Sequence, residues 1–316
     1  MSRRKDCKIA VIGTINRDTV IRADKSRVEG FGGILYNLTA LSRLLGNSAE
    51  IYPVANLGAD HEREIRKRLG AFPNVLLPAL ETVAAANNHC QLTYTSVSEK
   101  AEVLRGWVGG VRRAKLRSVF DADYILVNFI SGSDISTSNL KWLREKSSAI
   151  IYIDFHSRTL GRRANGQRFL RRPKDWREAV RCADILQMND VEFELLAGEA
   201  PSQDSCGQFV KTLLAKTAQG LVVTLGSKGC FVTRRGKAGI ESKFIPAPRV
   251  NEVVDTTGCG DVFSGAFLAA FSQGLAFEDA AVLAVRAASA RAGVNEIEQV
   301  DYRRLARLLG SKSVAK

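Results

Sequence analysis

No uninterrupted apolar run in the sequence is long enough to cross a bilayer, so no membrane span is expected. No apolar run follows the opening Met1-Ser2-Arg3-Arg4-Lys5 either, and no signal peptide is expected. Histidine is scarce, at three residues, and His61 and His89 show no metal-ligand spacing. The six cysteines (Cys7, Cys90, Cys182, Cys206, Cys230, Cys259) are scattered, and none forms a CxxC pair. That spacing argues against a zinc site and a disulfide framework, and reduced thiols suit a cytoplasmic location. Several catalytic signatures are missing as well. The chain has no GxxxxGK[ST] P-loop, no Rossmann GxGxxG, no HExxH, no GxSxG around Ser264 and no protein-kinase set of Gly-rich loop, HRD and DFG. Phosphoryl chemistry here needs a different cradle.

What is present is an ordinary folded composition: 316 residues, 45% hydrophobic and 25% charged. The length suits one large α/β domain or two modest ones. No repeat, low-complexity linker or boundary divides the chain, so residues 1–316 are expected to form a single domain. Lysine and arginine (46) outnumber aspartate and glutamate (33), for a formal charge of +13. Such a balance suits nucleic acid, a membrane surface, or small polyanions such as nucleotides and sugar phosphates. The basic residues are spread over 63–68, 112–117, 158–172 and 303–307, mixed with apolar or acidic neighbours. They read as a solvated surface rather than a nucleic-acid element. Neither a nucleic-acid nor a membrane partner is expected.

Short apolar runs at 8–13, 51–54, 124–128, 150–154, 185–189 and 221–225 read as buried strands. Helical spacing appears at 34–45 with Gly46 as a stop, and at 61–69, 135–146, 191–197 and 208–217. Residues 91–97 and 102–107 alternate and are split by Ser98-Glu99-Lys100, as in a hairpin; 230–233 and 240–245 suggest a second one. From Val262 to Leu309 the pattern is mostly helical. Strands that are apolar throughout, alternating with helices, predict a parallel sheet covered on both faces. Ligands gather at the carboxyl ends of such strands. The polar residues there are Asn16 and Asp18, Asp154 and His156, Asn189 and Glu192, and the stretch from Gly226 to Gly229.

The most informative stretch is Thr257-Gly258-Cys259-Gly260-Asp261, just ahead of an apolar helical run over 262–271. Glycines let backbone N–H groups converge without a Cβ in the way. Placed at a helix N-terminus, they also gain its positive dipole end, which makes an anion site suited to phosphate. A neighbouring carboxylate, Asp261, is then positioned to take a proton from an attacking hydroxyl. The helix dipole makes it a weak base, which phosphoryl transfer tolerates because positioning and charge neutralisation dominate. The plainer alternative is that Asp261 caps the helix and the glycines form a tight loop.

Five segments together resemble one family. "DTTGCGD" (255–261) is similar to the C-terminal signature of the ribokinase-like, PfkB carbohydrate kinases. "FGGILYN" (31–37) resembles that family's Gly-Gly-x-x-x-Asn helix start, and "INRD" (15–18) its sugar-binding turn. "QMNDVEFELLAG" (187–198) resembles its Asn-x-x-Glu segment, and "VTLGSKG" (223–229) its nucleotide loop. The segments occur in the family's order and span nearly the whole chain. The resemblance implies a doubly wound, mostly parallel sheet flanked by helices, with a small β lid built from parts of 17–31 and 88–108. It also implies ATP as co-substrate and Mg²⁺. Asp261 is the implied catalytic base, with the amides of Gly258, Cys259 and Gly260 around the transferring phosphate. Asn189 and Glu192 would organise Mg²⁺ through water, while Thr224, Gly226 and Gly229 line the nucleotide. Asn16, Asp18, Gly32, Gly33 and Asn37 would hold the acceptor. Asp255 and Thr257 match positions that bind a monovalent cation such as K⁺ in some members. A homodimer is a further family expectation.

The chain also departs from the pattern. Cys259 replaces the usual alanine, but the site needs only its amide. Ile34 stands where some sugar kinases carry a charged residue. Only 19–31 separates Asp18 from Gly32, which is short for the family's lid. "YIDFHSRTLG" (152–161) keeps Asp154 and Arg158 of an Asp-x-Asn-x-Arg pattern but carries His156 in place of the Asn. Arg158 then faces either the phosphates, the acceptor or solvent. Asn87-Asn88, just before a lid-like strand, is a further candidate acceptor contact. The expected activity is transfer of the γ-phosphoryl of ATP to a hydroxyl, a primary alcohol by preference, of a sugar, sugar phosphate or nucleoside. The alternatives are a catalytically inactive nucleotide- or sugar-binding regulator of the same fold, and a basic nucleic-acid-binding protein.

Overall fold

The computed structural model describes residues 7–22, 24–94, 100–236 and 239–310. The first half runs β1 (Cys7–Ile12), β2 (Arg17–Ile21), β3 (Arg27–Phe31), α1 (Ile34–Leu45), β4 (Ala49–Gly58), α2 (Glu62–Leu69), β5 (Leu80–Val83), β6 (His89–Tyr94) and β7 (Lys100–Arg105). It continues through α3 (Arg113–Leu116), β8 (Tyr124–Asn128), α4 (Thr137–Lys146), β9 (Ile150–Asp154), β10 (Leu160–Arg162), β11 (Arg168–Leu170) and α5 (Trp176–Val180). The remainder is β12 (Ile185–Asn189), α6 (Asp190–Ala197), α7 (Gln203–Thr212), β13 (Gly220–Thr224), β14 (Gly229–Gly236), β15 (Gly239–Pro246), α8 (Cys259–Ser272), α9 (Phe277–Ala292) and α10 (Tyr302–Leu309).

Nine strands form the main sheet in the order β15-β14-β13-β12-β9-β8-β1-β4-β5. Pairing is parallel from β13 to β5, and β14 and β15 add an antiparallel edge. The strands are apolar throughout because both of their faces are covered. Ile9 and Val11 of β1 point into the core under α1, α8, α9 and α10, while Ala10 and Ile12 point into the opposite core. On β9, Tyr152 joins the first core, and Ile151 and Ile153 the second. This alternation follows from the two-residue strand period.

A second sheet, in the order β3-β2-β6-β7, stands off the main one. Its β2–β6 contact is parallel and its outer pairs are antiparallel. Val20, Cys90, Leu92 and Leu104 give it a small core of its own. The expected strand residues Thr95 to Val97 and the turn at Ser98-Glu99 lie outside the described residues. Elsewhere, caps move the expected boundaries. Ser202 accepts from the Ser205 amide, so α7 begins at Gln203 and ends at Thr212, earlier than the apolar spacing suggests. Ser136 accepts from the Asn139 amide and delays α4 to Thr137.

Helix α8 is buried from Asp261 to Ala270 and apolar on nearly every side, as a central helix must be. Phe263, Phe267 and Phe271 stack along it at centroid spacings of 6.4 and 6.0 Å. It lies against α1, where a Cβ on Gly265 would come within 3.0 Å of the Asn37 carbonyl and 3.1 Å of Ala40 Cβ. Gly265→Val is expected to force the two helices apart and to cost about 1–3 kcal/mol of stability, read as a lower urea midpoint. An unchanged midpoint would mean that the α1–α8 approach is not limiting.

Candidate active site

Strand register lines up the polar residues on one edge. Thr224 pairs with Asn189, Gln187 with Asp154, and Asp154 with Asn128. Beyond β1, the turn through Asn16 leads to Asp18. The N-terminus of α8 sits over the middle of this row. The Gln187 amide donates to the Gly260 carbonyl (3.2 Å) and the Asn128 amide to Asp261 Oδ1 (2.7 Å).

Gly258 enters α8 with φ +77°, and a Cβ there would come within 2.6 Å of the Tyr36 ring. Only glycine combines that backbone angle with so close an approach. Helical residues begin at Cys259, so Asp261 is the third residue of the first turn and not its cap, which corrects the plainer alternative above. First-turn amides point outward along the axis and make an anion-binding end. Asp261 is 6% exposed. Asn37, placed by the resemblance among the acceptor contacts, is fully buried. Its amide donates to the Asp261 carbonyl and to Ser264 Oγ (2.8 Å each), and its Oδ1 accepts from Asn128 (3.0 Å).

Asp154 lies beneath this turn, buried, with Gln187 Nε2 on its Oδ2 (2.9 Å). Tyr152 Oη fixes Gln187 from the other side (2.6 Å). Burial first, and then the nearby charges of Asp261 and Glu192, hold the Asp154 carboxyl well above the usual carboxylate range.

At the end of the sheet where the resemblance puts the acceptor, Asn16 and Asp18 are both buried, and Asn16 Oδ1 has no hydrogen-bond partner. The Gly32 amide donates to the Asn16 carbonyl (3.0 Å), and a Cβ on Gly32 would fall 1.9 Å from Asp18 Oδ2. Gly33 has φ +64° and presses on the Thr14 carbonyl. Asn87 and Asn88 both hold backbone groups, while Asn88 Nδ2 is buried with no hydrogen-bond partner. Asn87 joins the Ile15 carbonyl to the Gly58 amide, and Asn88 Oδ1 holds the Val108 amide. Beyond Asn128 lies an open pocket of about 430 Å³, lined in part by Trp107, Ser131, Arg162, Arg168, Phe169 and Arg171, with no carboxylate in its lining.

On the other side, Asn189 and Glu192 form a capping box on α6. Both Glu192 oxygens accept from Asn189, at 2.8 and 2.9 Å. Gly226 (φ +55°) and Gly229 (φ +122°) shape the loop after Thr224. Among the described residues, no group of three or more His, Cys, Asp or Glu could cage a metal. The donor chemistry nevertheless fits Mg²⁺, which keeps most of its waters and takes one or two carboxylates plus phosphate oxygens.

The profile of the pfkB family carbohydrate kinases matches residues 164–296. The fold agrees with solved ribokinases. That of Giardia lamblia superposes with a TM-score of 0.76 at 18% identity, covering 95% of this chain and 99% of that one. The Arabidopsis thaliana ribokinase complexed with ribose and ATP gives 0.74 at 21% identity, covering 98% and 100%. The chain thus carries a segment like that of the pfkB kinases in its C-terminal half, on a ribokinase-like fold. The chain is also similar to a cytidine kinase of Thermococcus kodakarensis, at 25% identity over 86% of this chain and 91% of that protein. It is also 33% identical to a Haemophilus influenzae ribokinase, but over only 33% of this chain and 32% of the relative.

Three of the family-derived expectations meet specific partners here. Arg158 is bound to the Gly132 carbonyl (3.0 Å), Thr137 Oγ1 (2.9 Å) and Asp175 (2.7 Å). His156 adopts φ +32° and contacts Ser157 Oγ (2.8 Å) through Nδ1. Asp255 accepts from Arg291 Nη2 (2.7 Å) and from the Thr257 amide (2.8 Å). Asn128, Gln187, Tyr36 and Arg291 escaped the sequence reading. The one available signal was that Asn128 is a polar residue closing an apolar strand.

A carboxyl whose folded-state pKa is raised contributes stability that is complete below the ordinary carboxylate pKa and is lost as pH rises through the folded value. Asp154→Asn removes that loss. Its melting temperature is expected to match wild type near pH 4 and to exceed it increasingly towards pH 8. A difference independent of pH would show that Asp154 is not held protonated.

Proposed function

We propose that the protein is an ATP-dependent kinase of a small hydroxyl-bearing acceptor: a sugar, sugar phosphate or nucleoside. The acceptor oxygen attacks Pγ, the bond from Pγ to the bridging oxygen breaks, and ADP leaves. The hydroxyl proton passes to the Asp261 carboxylate. The first-turn amides of α8, at Cys259 and Gly260, bind the oxygens of the transferring phosphoryl group. The observation that carries this reading is the position of Asp261 in a glycine-entered first turn. It lies between the Asn189–Thr224 end of the sheet and the Asn16–Asp18 end. A nucleotide and an acceptor approaching from these two ends meet at the helix N-terminus. The cytidine kinase and ribokinase relatives support this class of acceptor, and the ATP and ADP complexes of ribokinases support the donor. Mg²⁺, held through water by Glu192, would supply charge neutralisation at the phosphates.

The pocket favours an acceptor that carries an anionic group. Ser131 on its wall is three residues from Asn128, so their Cα atoms lie within about 11 Å of each other, and the Asn128 side chain reaches Asp261. Arg162 and Arg171 also line it; Arg162 donates to the Gly106 carbonyl (3.0 Å), and Arg168 is committed to the Ser131 and Ser157 carbonyls.

ADP release should be measured from ATP and Mg²⁺ across neutral sugars, sugar phosphates and nucleosides. One acceptor is expected to stimulate it, and Asp261→Asn to lower kcat by about 10²–10⁴-fold with nucleotide affinity nearly unchanged. Nucleotide binding without stimulation by any acceptor would favour the regulator. For an anionic acceptor, Arg171→Ala is expected to raise KM with kcat held. A neutral acceptor indifferent to Arg171 would remove the pocket from the reading.

A further inference from the structure

Beneath the anion-binding turn lies a cation that belongs to the chain. Arg291, near the C-terminus of α9, is 1% exposed. Its Nη2 donates to Asp255 Oδ2 (2.7 Å), and its Nη1 donates to the Val294 carbonyl (2.7 Å) with a longer contact to the Asp255 carbonyl (3.4 Å). The Tyr36 ring lies 5.6 Å from the guanidinium carbon. A carboxylate, two carbonyls and an aromatic face thus surround one positive charge. Burial opposes that charge, but the Asp255 carboxylate outweighs it and holds the guanidinium above its ordinary range.

The pair is wired to the anion site by short links. Asp255 Oδ1 takes the Thr257 amide, and the amides of Val254 and Asp255 both donate to the Ala292 carbonyl. The Tyr36 ring beside the guanidinium is the surface on which Gly258 packs. Arg291 therefore fixes the turn from two directions, through Asp255 and through Tyr36. Asp255 and Thr257 are the residues at which the family resemblance puts a monovalent ion. Here the ionised oxygen already has a cation, and a desolvated K⁺ beside a fixed guanidinium would meet like charge. The residues present do not fit a second ion.

We propose that Arg291 is a built-in cation, a positioning residue that assembles the Gly258–Gly260 anion site without any bound monovalent metal. A salt-dependent site would have to form its loop as ions arrive; this one is formed with the fold. The turnover part of the proposal rests on the kinase reading, whereas the ion-binding part does not.

The first test uses the wild-type protein in KCl, NaCl and choline chloride at one ionic strength. Melting temperatures are expected to agree within about 1 °C, because an ion that bound only the folded state would raise them. Turnover is expected to agree within about twofold. A K⁺-specific rise in melting temperature, or stimulation of about tenfold, would overturn the proposal. If no acceptor supports turnover, the kinase reading fails while the melting series still decides whether the site takes an ion. The second test is Arg291→Ala, with Arg291→Lys in case the alanine variant does not fold. Either is expected to lose about tenfold or more in kcat with KM for ATP changed by less than about threefold. Added guanidinium is expected to restore part of the loss in Arg291→Ala. A variant that is merely less stable, with kcat intact at a temperature where it is folded, would reduce Arg291 to a structural brace and sink the positioning role.

Discussion

The side chain of Asn37 is fully buried, and both of its ends are in use. It joins α1 to the first turn of α8 and, through Asn128, to the end of β8. A buried amide left without partners costs about 1–3 kcal/mol, so the contact resists any slip of α8 along α1. The consequence reaches the acceptor end. Helix α1 starts directly after Gly32 and Gly33, whose backbones touch Asn16 and Thr14. One asparagine thus ties the strand-end turn at Asn16, the lid-side strand β3 and the Asp261 turn to a common frame. The absence of a side chain at Gly265 lets the helices come close enough for it to do so.

Much of the fold was legible because its signals are local. Six apolar runs read as buried strands and are strands, since a strand covered on both faces needs no alternation to betray it. Asn-x-x-Glu at 189–192 is legible twice. The spacing is that of a capping box, and the same spacing is the family's nucleotide-side motif. The first turn of α8 was placed too late because Gly-Cys-Gly has poor helix propensity. Tertiary hydrogen bonds from Gln187 and Asn128 hold it helical all the same.

The site's supporting residues were not legible, and the reason is distance along the chain. Asn128 finds its partners 91 and 133 residues away, and Arg291 finds Asp255 36 residues away. In the sequence, Arg291 is one basic residue in an alanine-rich helix, and nothing nearby distinguishes it from a solvated arginine. Arg158 errs in the other direction. It sits in a family-like position at a strand end, yet its guanidinium is spent on Asp175, Thr137 and a carbonyl. A charged residue type at the right spacing constrains its backbone position far better than it constrains where a long side chain points.

The buried carboxylates complete the electrostatics. Asp154, Glu192 and Asp261 lie near enough to feel one another, and a nucleotide brings several more negative charges to the same edge. Three ionised carboxylates there would repel it. Burial beneath α8 raises the Asp154 pKa and so favours its neutral form, and Gln187, oriented by Tyr152, bridges Asp154 to the Gly260 carbonyl. The negative charges that remain are those on Glu192 and Asp261, each in the first turn of a helix whose dipole stabilises it. Behind the turn, Arg291 offsets Asp255, so that carboxylate adds no net repulsion. In the kinase reading the turn would offer a phosphorylated ligand amides and the Asp261 carboxylate, with Asp154 shifted towards its neutral form and Asp255 offset by Arg291.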